Sequence, residues 1–354
     1  MNVLAAMSGG VDSSVMAYLL KQQGHSVTGV TMKLFDKDNP LIIEEQSCCT
    51  SDDIRDANNI CDKLGIPYQV VNFTDDFKAQ VIDRFIHAYE TGATPNPCID
   101  CNRYMKFARL LKQAEEMNLD AIATGHYAQV KKQGDRYILA KGLDESKDQS
   151  YVLYSLTQEQ LAKTILPIGG LTKAEVRELA ESQGFVNANK KDSQDICFVP
   201  DGDYAGFIKR VSGKDYPKGN FIDLSGNILG EHSGIIHYTI GQRKGLGIAF
   251  GEPKYVCGIC PQDNTVILGS NDDLFTTTVV VDNVNFIACD GLDTPIKAEA
   301  KIRYNHKQQP ATITQTGDKQ ITIEFNQPQR ASTPGQAAVV YDGSTVVCGG
   351  VITK

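Results

Sequence analysis

The chain lacks several features that would each indicate a class of protein. It has no apolar run long enough for a membrane-spanning helix, and its first residues are typical of a strand, without the basic segment that opens a secretory signal. We therefore expect a cytoplasmic protein with no membrane partner. The net charge of −8 argues against broad, sequence-independent binding of nucleic acid, so any RNA contact must come from local patches.

Cysteine, by contrast, is plentiful. Without an export signal, the ten cysteines are better interpreted as thiols, catalytic groups or metal ligands than as a disulfide framework. With 354 residues, 41% of them hydrophobic and only 22% charged, the chain can form two or three domains with substantial cores.

The segment most typical of a binding site is A-M-S-G-G-V-D-S-S, residues 6–14, between an apolar run and a helix-periodic stretch. Gly9 and Gly10 permit positive φ and close backbone approach, and serine hydroxyls lie beside the N–H groups of the helix start, which favours phosphate binding. The segment lacks the lysine of a Walker-type loop, so γ-phosphoryl transfer is disfavoured. Asp12 offers a carboxylate to Mg²⁺ instead. An ordinary tight turn is the alternative. The segment resembles the loop of enzymes that split ATP into AMP and pyrophosphate.

The first half of the chain alternates strand-like and helix-like segments. Apolar periodicity predicts helices that begin near Val11 and Ser51, then over residues 76–89 and 103–117, with strands between them. Such alternation predicts an α/β, doubly wound parallel sheet. Its ligand site should lie beyond the carboxyl ends of the strands, where residues 8–13, Met32 and 125–126 emerge.

The composition changes near residue 200. Beyond it we find almost no helical period, and short β-branched runs alternate with turn residues. We expect three domains: a nucleotide-binding domain over residues 1–200, a small β-rich domain over 201–272 and a β-barrel over 273–354.

Two stretches carry candidate reactive thiols. In T-P-N-P-C-I-D-C-N, residues 94–102, the prolines predict a stiff, extended loop that ends before a helix at Arg103. Cys101 then lies near that helix start and its basic residues, which favours the thiolate. The second stretch is D-S-Q-D-I-C-F, residues 192–198, a polar segment that contains Cys197. Either cysteine alone could be a core residue, but an adenylating loop together with three candidate thiols, Cys98, Cys101 and Cys197, indicates sulfur chemistry.

These motifs, with G-H-Y at 125–127, K-D-Q-S-Y at 147–151 and G-Q-R-K-G-L-G at 241–247, resemble the tRNA-specific 2-thiouridylases, members of the N-type ATP pyrophosphatases, over the whole chain. The loop alone is shared with other adenylating enzymes, but the combination is specific. The resemblance implies an adenine-nucleotide alpha-hydrolase-like fold, with a small β-rich domain and a C-terminal, tRNA-contacting barrel.

The resemblance also implies a reaction. ATP and Mg²⁺ would adenylate O2 of the wobble uridine, U34, in the anticodon stem-loop, because oxygen is otherwise a poor leaving group. A persulfide on Cys197 would supply sulfur, with Cys101 as the nucleophile that frees it, leaving a Cys101–Cys197 disulfide. A persulfide donor protein or a cysteine desulfurase would be the partner. The wobble base must be swung out of its stack to reach the site.

The resemblance carries roles onto matching positions. The implied ATP-binding residues are Ala6, Met7, Ser8, Gly9, Gly10, Val11, Asp12, Ser13, Met32 and Gly125. The implied tRNA-binding residues are Asn96, Pro97, Cys98, His126, Lys147, Asp148, Gln149, Arg303, Tyr304 and Gln336.

The chain departs from the family pattern at Cys98, where many members carry an aspartate that is thought to assist as acid or base. Cys98 could replace it only imperfectly. In a second mechanism for the same tRNA thiolation, Cys98, Cys101 and Cys197 would ligate three irons of a [4Fe-4S] cluster whose open iron binds sulfide. We expect Cys257 and Cys260 to be structural, and the adjacent Cys48 and Cys49 have no assigned role.

Two other classes of function remain open from sequence. A ligase that passes an amine to an adenylated carbonyl would need the loop but no reactive thiols. A noncatalytic, metal-stabilised RNA-binding module would need the cysteines but no pyrophosphate loop.

Overall fold

The computed structural model describes residues 1–35, 50–190, 196–248 and 251–353. Its backbone divides into two compact units. The first unit comprises Met1–Val81, Pro97–Gly202 and Ser344–Val346, and the second comprises Ile82–Asn96, Asp203–Gly343 and Val347–Lys354. A segment from the first half of the sequence therefore belongs to the unit that is built mostly from the second half.

The first unit is organised around a parallel sheet. Its strands are β1 Asn2–Ala6, β2 Ser26–Lys33, β3 Tyr68–Asn72, β4 Ala121–Ala123, β5 Ala128–Gln133, β6 Arg136–Lys141 and β7 Thr164–Ile165. Five of them form a sheet of order β3-β2-β1-β4-β7, in which all neighbours run parallel. The remaining two, β5 and β6, form an antiparallel hairpin. The predicted doubly wound α/β fold is confirmed, and β1 lies at the centre of the sheet.

Ten α-helices are described. They are α1 Val11–Gln22, α2 Ser51–Leu64, α3 Thr74–Phe77, α4 Asp83–Glu90, α5 Pro97–Asp100, α6 Leu110–Glu116, α7 Ser150–Leu153, α8 Gln158–Ala162, α9 Lys173–Ser182 and α10 Tyr204–Ser212. Two π-helical segments, Lys78–Ile82 and Cys101–Arg109, lie in line with α-helices. Short 3₁₀ turns occupy Ile235–His237 and Asp272–Leu274.

Local signals explain where the long helices of the first unit begin and end. A capping box of Thr50 and Asp53 opens α2, and Gly65 closes it in the left-handed conformation. Thr172 and Glu175 open α9 in the same way. The buried faces of α1, α2 and α9 share one core cluster that includes Val15, Cys61 and Val176, which are fully buried.

The second unit combines two β structures. Its strands are β8 Gly219–Ile222, β9 Ile228–His232, β10 Tyr255–Cys260, β11 Thr265–Gly269, β12 Phe275–Phe286, β13 Ile296–Lys301, β14 Gln309–Gly317, β15 Gln320–Arg330, β16 Ala337–Asp342 and β17 Thr345–Ile352. The first four form a sheet of order β10-β11-β8-β9. The other six run β12-β15-β14-β13-β16-β17, and β12 also pairs with β17, which closes a barrel. The predicted β-rich module and C-terminal barrel are confirmed.

Alternation of side chains fills the barrel. In β15, Ile321, Ile323 and Phe325 are buried while the residues between them face outward, as a strand with one buried face requires. They join Val279 and Val340 in a single core cluster.

Three predictions of local structure need correction in detail. Beyond residue 200, where the sequence predicts almost no helix, one α-helix is described: α10 is capped by Asp203, whose carboxylate accepts from the Gly206 N–H at 2.9 Å, and it buries Phe207. The helix predicted over residues 76–89 is present within a continuous helical run over residues 74–90, but this run contains the π-helical turn Lys78–Ile82. Finally, Pro97 begins a helix instead of prolonging an extended loop, since proline suits the first helical position, where its missing N–H costs nothing.

Candidate active site

The phosphate-type loop, residues 8–14, connects the carboxyl end of β1 to α1 at the centre of the sheet. Gly9 has φ of +72°, and a Cβ there would stand 2.4 Å from the Asp53 carbonyl oxygen, so both conformation and space require glycine. Gly10 occupies the N-cap position of α1, where it has no side chain to bond the first helical N–H groups. Free N–H groups at the start of a helix are suited to bind an anion.

Serine hydroxyls hold the loop together from within. Ser13 Oγ donates to the Gly10 carbonyl at 2.9 Å and accepts from the Ser8 N–H at 3.2 Å. Ser14 Oγ donates to the same carbonyl at 3.1 Å, and both Ser13 and Ser14 are buried. These hydrogen bonds fix the conformation of the loop from within.

Asp12 is engaged by two side chains that sequence reasoning missed. Lys173 Nζ, from the first residue of α9, lies 2.8 Å and 2.9 Å from the two carboxylate oxygens of Asp12. Tyr127 donates its hydroxyl to Asp12 Oδ1 at 2.7 Å, and the Lys173 ammonium stands 5.7 Å from the Tyr127 ring centroid. Lys173 is only 8% exposed. The structure therefore places a cation beside a loop whose sequence contains none.

Gly125 packs closely against the backbone of Asp12 and Ser13. It follows β4, and a Cβ at this position would stand 2.9 Å from the carbonyl carbon of Asp12 and 3.0 Å from the N of Ser13. Both of these atoms belong to the backbone, so neither can move aside cheaply.

We expect the Gly125→Ala variant to be destabilised and to bind ATP more weakly, because the added methyl group pushes the start of α1 away from β4. Overpacking of this kind typically costs about 1–3 kcal/mol. Thermal unfolding followed by circular dichroism measures the loss, and equilibrium binding measures the affinity. Gly170→Ala is the matched control, since a Cβ there has no neighbour within 4 Å. Equal melting temperatures for the two variants would contradict the argument.

A second clamp holds the other side of the loop. Asn187 Nδ2 donates to the Gly9 carbonyl and to Ser14 Oγ, each at 2.9 Å. Lys190 Nζ lies 3.3 Å from the same carbonyl and pairs with Asp53 at 2.7 Å and Asp56 at 2.8 Å. Burial opposes the charged form of Asp53, but its hydrogen bonds with Lys190 and Thr50 lower its pKa overall. Asn187 and Lys190 therefore hold the loop from 178 and 181 positions further along the sequence than Gly9.

Met32 lies near the carboxyl end of β2, and His126 follows β4, as the sequence predicts. Met32 is half-buried near the end of its strand. His126 is buried, its Nδ1 lies 2.7 Å from Thr124 Oγ1, and its ring centroid is 5.7 Å from that of Phe107. Burial, and secondarily the charge of Lys106, hold the pKa of His126 well below its usual value. The ring is accordingly neutral at physiological pH.

The K-D-Q stretch shapes the turn beside Tyr127. Asp148 Oδ1 accepts from the N–H groups of Gly142 and Ser150, each at 3.0 Å. Gln149 Oε1 accepts from the Tyr127 N–H at 2.9 Å, and Lys147 is half-buried. Asp148 and Gln149 thus have a structural part in placing the tyrosine that contacts Asp12.

The two N-terminal candidate thiols lie on one helical run. Cys98 is exposed on the short helix α5, and Cys101 is half-buried at the first residue of the π-helical segment that follows. The sequence predicts that Cys101 lies beside a helix start at Arg103, and this prediction is wrong. Cys101 lies one turn into a helical run that starts at Pro97. The helix dipole favours its thiolate less than we expected, because that effect weakens beyond the first turn.

Cys197 lies in a turn of the first unit and is half-buried. The next residue, Phe198, is buried and packs edge-on against Phe77, with ring centroids 5.9 Å apart. This contact anchors the backbone at the cysteine. The D-S-Q-D part of the motif, residues 192–195, lies outside the described residues, as do Cys48 and Cys49.

A resident metal would need several ligands in one place. Among the four described ranges of the chain, no three His, Cys, Asp or Glu side chains are grouped closely enough to hold a metal ion. Cys98, Cys101 and Cys197 all lie within these ranges. In the same ranges, no helix has both the length and the apolarity needed to cross a membrane.

The barrel residues implied in tRNA binding differ in accessibility. Arg303 Nη2 donates to the carbonyls of Ile240 and Ala331, at 3.2 Å and 3.1 Å, and to Thr333 Oγ1 at 2.6 Å. Tyr304 is 36% exposed, with the Lys301 ammonium 5.4 Å from its ring centroid. The aromatic ring and its adjacent cation form a surface suited to a nucleotide.

Gln336 directs its amide into the second unit itself. Its Nε2 donates to the Thr94 carbonyl at 2.8 Å and to the Pro95 carbonyl at 3.3 Å. This contact, across 242 positions of sequence, could not be expected from the motif.

Cys257 and Cys260 lie on β10 and are both half-buried. Burial raises the pKa of the Cys257 thiol, as does the nearby charge of Asp273. A raised pKa disfavours the reactive thiolate, in keeping with the structural role expected for this cysteine.

Three family models match consecutive parts of the chain. They are described as the tRNA methyl transferase HUP domain over residues 1–201, the tRNA methyl transferase PRC-barrel domain over 205–270 and the aminomethyltransferase beta-barrel domain over 276–352. The fold and the loop thus define a HUP-type nucleotide-binding enzyme with two appended β domains.

Curated relatives give the particular family. The chain is 52% identical to the tRNA-specific 2-thiouridylase of Clostridioides difficile strain 630, over 99% of this chain and 98% of the relative. It is 51% identical to the enzyme of the same name from Lachnoclostridium phytofermentans, over 99% of both chains. The chain belongs to the tRNA-specific 2-thiouridylase family.

Solved structures are more distant. A 4-thiouridine synthetase in complex with RNA and ATP aligns with a TM-score of 0.35 and 20% identity, over 56% of this chain and 45% of that one. An NMN synthetase from Francisella tularensis aligns with a TM-score of 0.34 and 16% identity, over 60% and 77%. Likenesses this weak carry no argument about function.

Proposed function

We propose that this chain uses ATP to activate O2 of the wobble uridine, U34, of tRNA and replaces that oxygen with sulfur carried on Cys197. As a member of its family, the chain is a tRNA-uridine 2-sulfurtransferase. One observation carries the proposal: the preorganised loop with Asp12 and Lys173 belongs to the same compact unit as Cys101 and Cys197. An amine-transferring ligase would not need those thiols, and a noncatalytic RNA-binding module would not need the loop.

The first step is adenylation. Uridine O2 attacks the α-phosphorus of ATP, the bond from that phosphorus to the bridging oxygen breaks, and pyrophosphate leaves. The N–H groups at the start of α1 and the serine hydroxyls would hold the pyrophosphate. Asp12 would ligate Mg²⁺, which neutralises charge on the phosphates when bound. Lys173 would then turn from the carboxylate to the phosphates, where it supplies the positive charge that a Walker lysine supplies elsewhere.

The second step transfers sulfur. The terminal sulfur of a Cys197 persulfide attacks C2 of the adenylated uridine, and AMP leaves with the former O2. The thiolate of Cys101 attacks the Cys197 sulfur, which frees the thiocarbonyl on the base and forms the Cys101–Cys197 disulfide. A thiol reductant supplies the two electrons that reset the enzyme. A persulfide donor protein or cysteine desulfurase reloads Cys197: the Cys197 thiolate attacks the outer sulfur of the donor's own cysteine persulfide, and the donor cysteine leaves as a thiol.

We derive no step through an iron–sulfur cluster. The persulfide route needs only Cys101 and Cys197, and Cys98 remains a candidate for acid–base help.

The substrate would approach from several parts of the chain. Asn96, Pro97 and Cys98 would touch the flipped base, Met32 and Gly125 the adenosine, and Lys147 and Tyr304 the tRNA. His126, Asp148, Gln149 and Arg303 would act on the tRNA through the elements they hold in place, since their side chains contact other parts of the protein. We keep 1–200, 201–272 and 273–354 as the proposed domains, and place the reaction in the cytoplasm, where tRNA and ATP are available.

Reconstitution tests the proposal directly. The full chain is incubated with ATP, Mg²⁺, a cysteine desulfurase with cysteine, and an unmodified tRNA transcript bearing U34. We expect 2-thiouridine in the digested tRNA by mass spectrometry, with one AMP and one pyrophosphate for each thiolated base. A transcript with C34 is the control. AMP production without thiolation, or thiolation of the C34 transcript, would overturn the proposal.

A further inference from the structure

Ile82–Asn96, here called the arm, leads directly into the helix that carries Cys101, yet it belongs to the second unit. Its helix α4 packs Phe85 against Phe207, with ring centroids 6.3 Å apart. At the end of α4, Glu90 accepts hydrogen bonds from Lys214 Nζ at 2.8 Å and Tyr216 OH at 2.7 Å. Aromatic packing and hydrogen bonding therefore hold the first half of the arm.

The barrel holds the other half of the arm. The Thr94 N–H donates to the Pro334 carbonyl at 2.9 Å, and Gln336 Nε2 donates to the carbonyls of Thr94 and Pro95. Gly335, with φ of +90°, brings its backbone so close that a Cβ would stand 3.0 Å from Ala93 Cβ. This barrel segment, residues 333–336, is tied into the sheet because the Gly335 N–H donates to the Ile352 carbonyl at 2.9 Å, and the same glycine lies directly against the arm.

The sequence that follows is stiff. Pro95 and Pro97 have fixed φ angles and no N–H, so the backbone between Thr94 and α5 has few ways to adjust. A displacement at Thr94 is therefore passed along the chain to the first turn of the helix. Cys98 lies in that turn, and Cys101 follows three residues later.

We infer that Gln336 is a positioning residue for Cys101, which acts by fixing the Thr94 and Pro95 carbonyls at the base of the reactive helix. The inference rests on the proposed function, because it assumes that Cys101 is the nucleophile. It differs from the role that the family resemblance implies for this position, a contact with the tRNA itself. The amide hydrogens of Gln336 are already donated to the arm, and its Nε2 has no third hydrogen to offer a nucleotide.

Such a residue matters because sulfur transfer needs two reacting sulfurs in line. A misplacement of about 1 Å, caused by a residue outside the chemistry, lowers rates by up to about 10²-fold. We expect the loss of Gln336 to have an effect of about tenfold, because the Thr94–Pro334 hydrogen bond remains in the variant.

The test compares Gln336→Ala and Gln336→Glu with the full-length wild type. Glutamate has the shape of glutamine but presents a carboxylate oxygen, an acceptor, to the two carbonyls. Gln336→Glu should therefore slow thiolation at least as much as Gln336→Ala. Gln327→Ala is the matched control, on an exposed position of β15. Three quantities are measured: the affinity for tRNA by filter binding at fixed salt, the single-turnover thiolation rate at saturating tRNA, and the rate at which iodoacetamide alkylates Cys101, mapped by fragmentation of the peptide.

We expect both Gln336 variants to keep the tRNA affinity of the wild type, to thiolate about tenfold more slowly and to alkylate at Cys101 at a changed rate. Unchanged alkylation of Cys101 overturns the inference, however thiolation responds. A weakened tRNA affinity with an unchanged saturated rate assigns Gln336 to tRNA contact instead. Failure of the proposed function has a separate signature: the Cys101→Ser variant would thiolate tRNA as fast as the wild type. Even then, the alkylation rate of Cys101 in the Gln336 variants reports whether Gln336 positions the thiol.

Discussion

Replacing Cys101 or Cys197 with serine is expected to lower tRNA thiolation by at least about 10³-fold, while the first equivalent of pyrophosphate per enzyme is still released near the wild-type rate. A hydroxyl carries no persulfide and does not attack a disulfide sulfur, so sulfur transfer stops after the uridine has been adenylated. The two assays are run on one reaction mixture: mass spectrometry of digested tRNA for 2-thiouridine, and an enzyme-coupled assay for pyrophosphate.

Cys98 separates the two sulfur mechanisms. Cys98→Asp restores the residue that many members of the family carry, and under the persulfide route it should keep activity. Cluster ligation requires all three cysteines, so all three variants would then fail, and the protein prepared without oxygen would be brown, with iron and labile sulfide. Cys257→Ser is the control for cysteine loss in general, because that thiol lies on β10 of the second unit. An inactive, colourless Cys98→Asp variant from an active, iron-containing parent would refute the persulfide route.

The second large effect is expected at the Asp12–Lys173 pair. Lys173→Met should slow pyrophosphate release by about 10²–10³-fold, the loss typical when one preorganised charge donor is removed from a transition state. Asp12→Asn should have a comparable effect, because the amide is a poor ligand for Mg²⁺. Ser13→Ala should also abolish adenylation, since Ser13 Oγ holds the loop at Gly10 and Ser8.

A structural role for the pair would give a different pattern. Each single variant leaves one buried or half-buried charge without its partner, and such an imbalance by itself destabilises a fold. The double variant Asp12→Asn/Lys173→Met removes both charges and should recover the melting temperature. Recovered adenylation in the double variant would show that the pair only stabilises the protein. Lys163→Ala, which removes a surface ion pair with Glu115, is the matched control for loss of a lysine.

Under the proposed function, the arrangement would explain how a loop without a lysine holds pyrophosphate. The chain separates two requirements that a Walker loop meets in one motif: close backbone N–H groups come from the loop, and the cation comes from α9. The Asp12 carboxylate neutralises Lys173, which offsets the cost of burying the ammonium. Binding of Mg²⁺ to Asp12 would release that lysine at the moment phosphate arrives.

Local sequence determined much of this protein. Residues 6–14 are contiguous, and their glycines and helix start act on their immediate neighbours, so the loop and its place after β1 were predictable. The parallel sheet followed from alternating periods, and the barrel from short β-branched runs. Proline at Pro97 was misjudged because its effect depends on position: inside a helix it breaks hydrogen bonds, whereas at the first position it breaks none.

The tertiary structure alone decided which distant residues complete the site. Lys173 is 161 positions from Asp12, and Gln336 is 242 positions from Thr94. No sequence pattern around Lys173 or Gln336 indicates which residue it contacts, because lysine at a helix start and glutamine before a strand are common at the surface of proteins. The assignment of the arm to the second unit was equally hidden, since α4 looks like any amphipathic helix of the first half. Such contacts arise from the packing of whole elements, whereas sequence periodicity reports only the face that one element buries.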